Sequence, residues 1–113
     1  MHELSICESI VGVIEQQAVA QSFKRVNMVR LEIGPLAGVE IEALHFSFDV
    51  VTRGSIADGA KLEVIELPLD GWCVPCAMSV PIKQRFDTCP TCGGYQVQIT
   101  GGDELRIKEM EVD

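Results

Sequence analysis

A chain of 113 residues, 47% of them hydrophobic, has the apolar material for one domain core and a small appendage, which excludes general disorder. Its formal charge of −8, from 17 acids against 9 bases, has the wrong sign for a nucleic-acid binder. No apolar run approaches a membrane span and no targeting segment is recognisable, so a bacterial or archaeal cytoplasm is expected.

The spacing predicts a first helix over Ser5 to Ala20. Cys7, Ile10, Ile14 and Ala18 recur at helical intervals, and Leu4, Val11 and Val19 widen the apolar stripe. Glu8, Glu15, Gln16 and Gln17 supply a polar side. Cys7 has no C-x-x-C partner and reads as a small buried core residue. Val26 to Ile33 is a predicted strand: Val29, Leu31 and Ile33 alternate with Arg30 and Glu32, giving one buried and one wet face. Gly34-Pro35 stops it and Gly38 marks a second bend.

A second amphipathic helix is predicted over Val39 to Thr52, with Ile41, Leu44, Phe48 and Val51 as its stripe and Gly54 at the C-terminal cap. Glu40 and Glu42 suit the helix dipole in its first turn. His45 lies beside the stripe and is expected to be a half-buried packing residue rather than a ligand. Asp58-Gly59 is a turn, and Lys61 to Leu67 is a strand of mixed pattern. Pro68 and Asp70-Gly71 then separate that strand from a cysteine-bearing stretch.

From Trp72 to Gly94 the chain reads W-C-V-P-C-A-M-S-V-P-I-K-Q-R-F-D-T-C-P-T-C-G-G. Cys73 with Cys76 and Cys89 with Cys92 form two C-x-x-C pairs, each able to aim two sulfurs at one point. The twelve residues between the pairs are enough for a strand, a turn and a strand back. Four thiolates then converge as a tetrahedron, which a structural zinc ion prefers. Pro90 fixes φ, while Gly93 and Gly94 allow positive φ where the backbone wraps the metal. Two disulfides would need an oxidising compartment. A thioredoxin-like redox pair would need a strand-to-helix junction, and neither pair sits at one. Iron stays open, because rubredoxin-like electron-transfer sites also use two such knuckles.

Tyr95, Val97 and Ile99 alternate with Gln96 and Gln98 in a further short strand; Gly101-Gly102 breaks the chain, and Glu104 to Val112 forms a last strand. That strand is expected to return to the first body's sheet. The fold class is therefore α+β: a small mixed sheet with two helices, built from residues 1–67 and 101–113, and an inserted zinc-ribbon-like four-cysteine module over 68–100. Residues 1–67 carry 10 acids and 5 bases, 68–100 carry 2 of each, and 101–113 carry 5 acids and 2 bases, so no segment is basic. No catalytic triad or phosphate loop is visible, and no enzymatic activity is expected.

The first three residues, Met1-His2-Glu3, have a chemical reading of their own. A free α-amine, the deprotonated amide of His2 and its imidazole can chelate one ion, and the amide of Glu3 can close a square of four nitrogens. Such a square suits Ni(II) or Cu(II) rather than zinc. On three residues alone, a solvated terminal histidine is the simpler reading.

Context changes this. M-H-E-L-S opening a helix, V-R-L-E-I-G-P-L-A-G-V at 29–39, then C-V-P-C and C-P-T-C-G-G together resemble the HypA/HybF family of nickel-insertion accessory proteins for [NiFe]-hydrogenase maturation. The resemblance covers nearly the whole chain, in order. It implies that His2, with the backbone of Met1 and Glu3, binds nickel, and that Cys73, Cys76, Cys89 and Cys92 hold structural zinc. It further implies a nickel metallochaperone that works with a HypB-type maturation GTPase and delivers to the hydrogenase large subunit. Urease and its accessory proteins stand as a further destination. The chain is expected to act as a monomer or homodimer. Two other classes remain: an iron electron-transfer protein, and a zinc-ribbon interaction module with an inert terminus.

Overall fold

The computed structural model describes residues 3–113. The elements are α1 (Glu3–Gln21), β1 (Val26–Ile33), α2 (Ile41–Val51), β2 (Lys61–Glu66), β3 (Leu69–Cys73), β4 (Met78–Ile82), β5 (Val97–Ile99) and β6 (Leu105–Val112). The strands form two three-stranded sheets, in the orders β2-β1-β6 and β4-β3-β5. The chain divides into two compact units. One comprises the chain up to Glu32, Gly38–Ile65 and Arg106–Asp113; the other comprises Ile33–Ala37 and Glu66–Leu105. Among the described residues no helix is long and apolar enough to cross a membrane.

In the first unit α1 buries Ile6, Cys7, Ile10, Val11 and Ile14, and packs on α2. The stripe expected from sequence extends further in both directions, yet Leu4 and Val19 are exposed. At ~1.5 Å per residue the 11-residue α2 is much shorter than the 19-residue α1 and cannot cover its whole length. Helix α2 starts at Glu40, whose carboxylate accepts from the Glu42 N–H at 3.1 Å. It buries Leu44, Ser47 and Phe48, and the Thr52 hydroxyl closes its end by donating to the Phe48 carbonyl at 2.7 Å.

Strand β1 is central in its sheet, and Val29, Leu31 and Ile33 are buried as the alternation predicts. Its wet face carries ion pairs instead. Arg30 bridges Glu63 on β2, at 2.6 Å, and Glu109 on β6. Glu32 accepts from Arg106 on β6 at 2.9 Å. Strand β6 thus does return to the first unit's sheet. Asp113 donates its N–H to the Arg25 carbonyl at 2.9 Å, at the start of β1.

The second unit has a small core of its own: Leu69, Cys73, Val80, Ile82 and Cys89, with Leu36, Val97 and Ile99 packed against it. Both pairings of β3, with β4 and with β5, are antiparallel. Strand β3 is an element that the turn signal Asp70-Gly71 conceals. Gly71 sits mid-strand, where a Cβ would lie 2.4 Å from Val97 Cγ1 and 3.3 Å from the Gln98 carbonyl oxygen, so a larger residue would have to displace β5. Gly34 answers a similar need. Its Cβ would lie 2.3 Å from the Gly102 carbonyl oxygen, where residues 33–37 cross the 101–104 loop.

Candidate metal centre

Strand β3 ends on Cys73 and β4 begins at Met78. The first C-x-x-C pair is therefore the turn of a hairpin, and the expected strand, turn and returning strand between the pairs is corrected. Only β4 lies between the pairs; its partner is β3, upstream of the first knuckle. The remaining residues 83–88 form a loop whose base is tied by Asp87, which accepts from the N–H groups of Lys83 and Gln84.

The two knuckles share a left-handed residue but close with different hydrogen bonds, one to the carbonyl three residues back and the other to the carbonyl four back. In the first, Ala77 donates to the Val74 carbonyl at 3.2 Å, with φ at 51°. In the second, Gly93 donates to the Cys89 carbonyl at 2.8 Å, with φ at 71°. The residue after the second cysteine thus takes the left-handed conformation both times. Glycine makes that free at position 93; alanine at position 77 does not. The sequence advertised the second of these and hid the first.

All four sulfurs lie within 4.8 Å of one another, and Cys73 Sγ is 3.7 Å from Cys92 Sγ. A tetrahedron of metal–sulfur bonds of ~2.3 Å places sulfurs about 3.8 Å apart, so the four cysteines fit a tetrathiolate centre. Backbone amides already point at the sulfurs. Cys92 and Thr91 donate to Cys89 Sγ at 3.5 and 3.4 Å, and Gly94 donates to Cys92 Sγ at 3.4 Å. The Cys92 N–H, followed by that of Thr91, lowers the Cys89 thiol to about 6. The Cys73 and Cys92 thiols hold the Cys76 proton in place and push that group up to about 12. Four such sulfurs ionise together only around a cation, which is the chemistry a divalent ion supplies. Cys73 and Cys89 are buried, Cys76 is half-buried and Cys92 is exposed, so the centre opens to solvent on the Cys92 side.

Among the described residues this is the one grouping of three or more potential ligands from His, Cys, Asp and Glu. Cys7 is not part of it and is fully buried between the helices. His45 is exposed rather than half-buried, because it is rotated by about 100° from the inward-facing Leu44. Glu3 is the first residue of α1 and half-exposed. Met1 and His2, the expected nickel chelate, lie outside the described residues.

The sequence model of a family described as "Hydrogenase/urease nickel incorporation, metallochaperone, hypA" matches residues 1–112. The chain belongs to the HypA family. The hydrogenase maturation factor HypA of Azotobacter chroococcum mcd 1 is 60% identical over 113 residues, covering all of both chains. Its counterpart in Azotobacter vinelandii is 58% identical over the same span. The HypA fold is seen in the solution structure of the Ni metallochaperone HypA from Helicobacter pylori, with a TM-score of 0.68 at 21% identity, covering 99% of this chain and 97% of that one. A second HypA solution structure gives a TM-score of 0.72 at 23% identity, covering 99% and 96%. The family places the chain among nickel-incorporation metallochaperones and maturation factors.

Proposed function

We propose that this chain carries Ni(II) at its amino terminus and hands it, with a HypB-type GTPase, to the large subunit of [NiFe]-hydrogenase. The observation that carries this reading is the full-length match to a nickel-incorporation family, in a chain that begins Met-His-Glu. The His2 imidazole, the α-amine of Met1 and the backbone amides of His2 and Glu3 form the chelate. Glu3 opens α1, and the first N–H groups of a helix have no intrahelical acceptor, so its amide is available to a metal. Nickel displaces protons from amine and amides, so its affinity falls as pH drops. A chelate on the first residues is accessible and exchangeable, which suits a cargo that must be released. GTP hydrolysis belongs to the partner, and the chain itself catalyses nothing. Urease is a second candidate destination, and the cytoplasm is the site of action.

In the same reading Cys73, Cys76, Cys89 and Cys92 hold zinc, whose role is to cross-link the second unit. The sulfur spacing and the N–H donors support a closed tetrathiolate. Metal analysis of untagged protein tests both halves. One zinc per chain with additional bindable nickel is the expected result. Iron in the thiolates, visible as absorbance that zinc lacks, would make the protein an electron carrier. Zinc with no nickel binding would leave an interaction module.

A further inference from the structure

The loop at 83–86 stands apart from the rest of this acidic chain. Lys83, Gln84, Arg85 and Phe86 are consecutive exposed residues, and Phe86 is 93% exposed. Phe86 also takes φ of 68°, a left-handed conformation that bulky residues rarely adopt. Asp87 fixes the loop base through the Lys83 and Gln84 N–H groups, so the strained residue sits at a tip held from below. Lys83 and Arg85 are the only cations in residues 66–105. Among the described residues no carboxylate pairs with either, as is also true of Lys24, Arg25 and Lys108, whereas Arg30, Arg53, Lys61 and Arg106 have acidic partners. Neither the aromatic ring nor the two charges has a use within the fold.

We propose that this loop docks on an acidic protein surface, with Phe86 filling an apolar pocket and Lys83 and Arg85 pairing with carboxylates at the pocket's rim. An aromatic anchor beside an arginine is the composition of an interface hot spot. Left-handed backbone at a bulky, exposed residue is costly and motivates a functional reading of the position. Charge selects the partner class. A net charge of −8 repels a polyanion such as nucleic acid or an anionic membrane, but two local cations suffice for a few carboxylates within a Debye length. The surface needs no nickel, so its test is independent of the chelate at the terminus.

The probe is a benzophenone side chain placed at position 86 of the full-length protein, irradiated in the native host and compared with the same probe at Gln98, an exposed strand position. The expected product is a cross-link, specific to position 86, to a protein segment rich in Asp and Glu. That protein, purified, then binds the wild type more weakly as salt rises. Phe86→Gly and the double variant Lys83→Glu, Arg85→Glu each lose at least about tenfold in affinity. Phe86→Gly relieves the strained φ, so its thermal midpoint should not fall, which separates lost docking from lost folding. A cross-link to RNA or to a neutral or basic segment, no capture above the Gln98 level, or unchanged affinity in both variants would overturn the proposal.

Discussion

The Cys7 thiol donates to the main-chain carbonyl of Leu44 across 3.6 Å, in the seam where α1 meets α2. Both residues are completely buried. Burial, with a smaller contribution from the Glu3 charge, raises the Cys7 pKa from 9.0 to about 11. The protonated thiol is thus favoured by folding. Its contribution is fully present below pH 9 and is lost as pH rises from 9 toward 11, where the unfolded chain has released the proton and the folded one has not. The slope there is at most about 1.4 kcal/mol per pH unit. Denaturant titrations of wild type and Cys7→Ala at pH 8 and pH 10.5 check this: the wild type should lose stability over that interval, and Cys7→Ala should lose less.

Phe48 is 2% exposed on the inward face of α2, and its carbonyl also receives the Thr52 hydroxyl. Phe48→Ala should therefore cost about 3–5 kcal/mol in chemical denaturation. A loss below about 1 kcal/mol would mean that the α2 seam repacks freely.

The two knuckles give a pair of opposite predictions. Ala77 carries φ of 51° and Gly93 carries φ of 71°. Ala77→Gly should relieve left-handed strain and hold or raise the thermal midpoint of the metal-loaded protein. Gly93→Ala should lower stability by about 1–2 kcal/mol. A Cβ at position 93 would meet nothing within 4 Å, so that loss would come from backbone strain alone.

Cys76→Ser or Cys92→Ser should abolish stoichiometric zinc and loosen the two knuckles. The core of the second unit includes two of the four cysteines, and its remaining apolar residues are few. Zinc content and amide-exchange protection of residues 72–94 are the measurements. Full zinc retention in both variants would contradict the tetrathiolate assignment.

Much of this molecule is legible in the sequence because its signals are local. The β1 alternation of Val29, Leu31 and Ile33 with Arg30 and Glu32 reports burial directly, and two C-x-x-C pairs report convergence of four sulfurs. The hidden features depend on contacts distant in sequence. Asp70-Gly71 carries a turn signature, yet Gly71 lies mid-strand because it pairs with Val80 on β4 and with Ile99 on β5, 28 positions along the chain. The spacing between the knuckles suggests a downstream partner for β4, but that partner is β3, and the first knuckle itself serves as the hairpin turn. Ala77 and Phe86 take left-handed backbone at residue types that give no sign of it. His45 has the sequence position of a half-buried residue beside the stripe, and α2 turns it to solvent.

The central claim is that nickel is held at Met1-His2-Glu3 and zinc is held elsewhere. Calorimetric nickel titration of untagged wild type, His2→Ala and a form extended at the amino terminus, with zinc measured in each, tests it most directly. The account predicts specific nickel binding in the wild type alone, since one variant lacks the imidazole and the other has its α-amine converted to an amide. Zinc should stay at one per chain in all three. Undiminished nickel binding in both variants would place the ligands elsewhere and contradict the account.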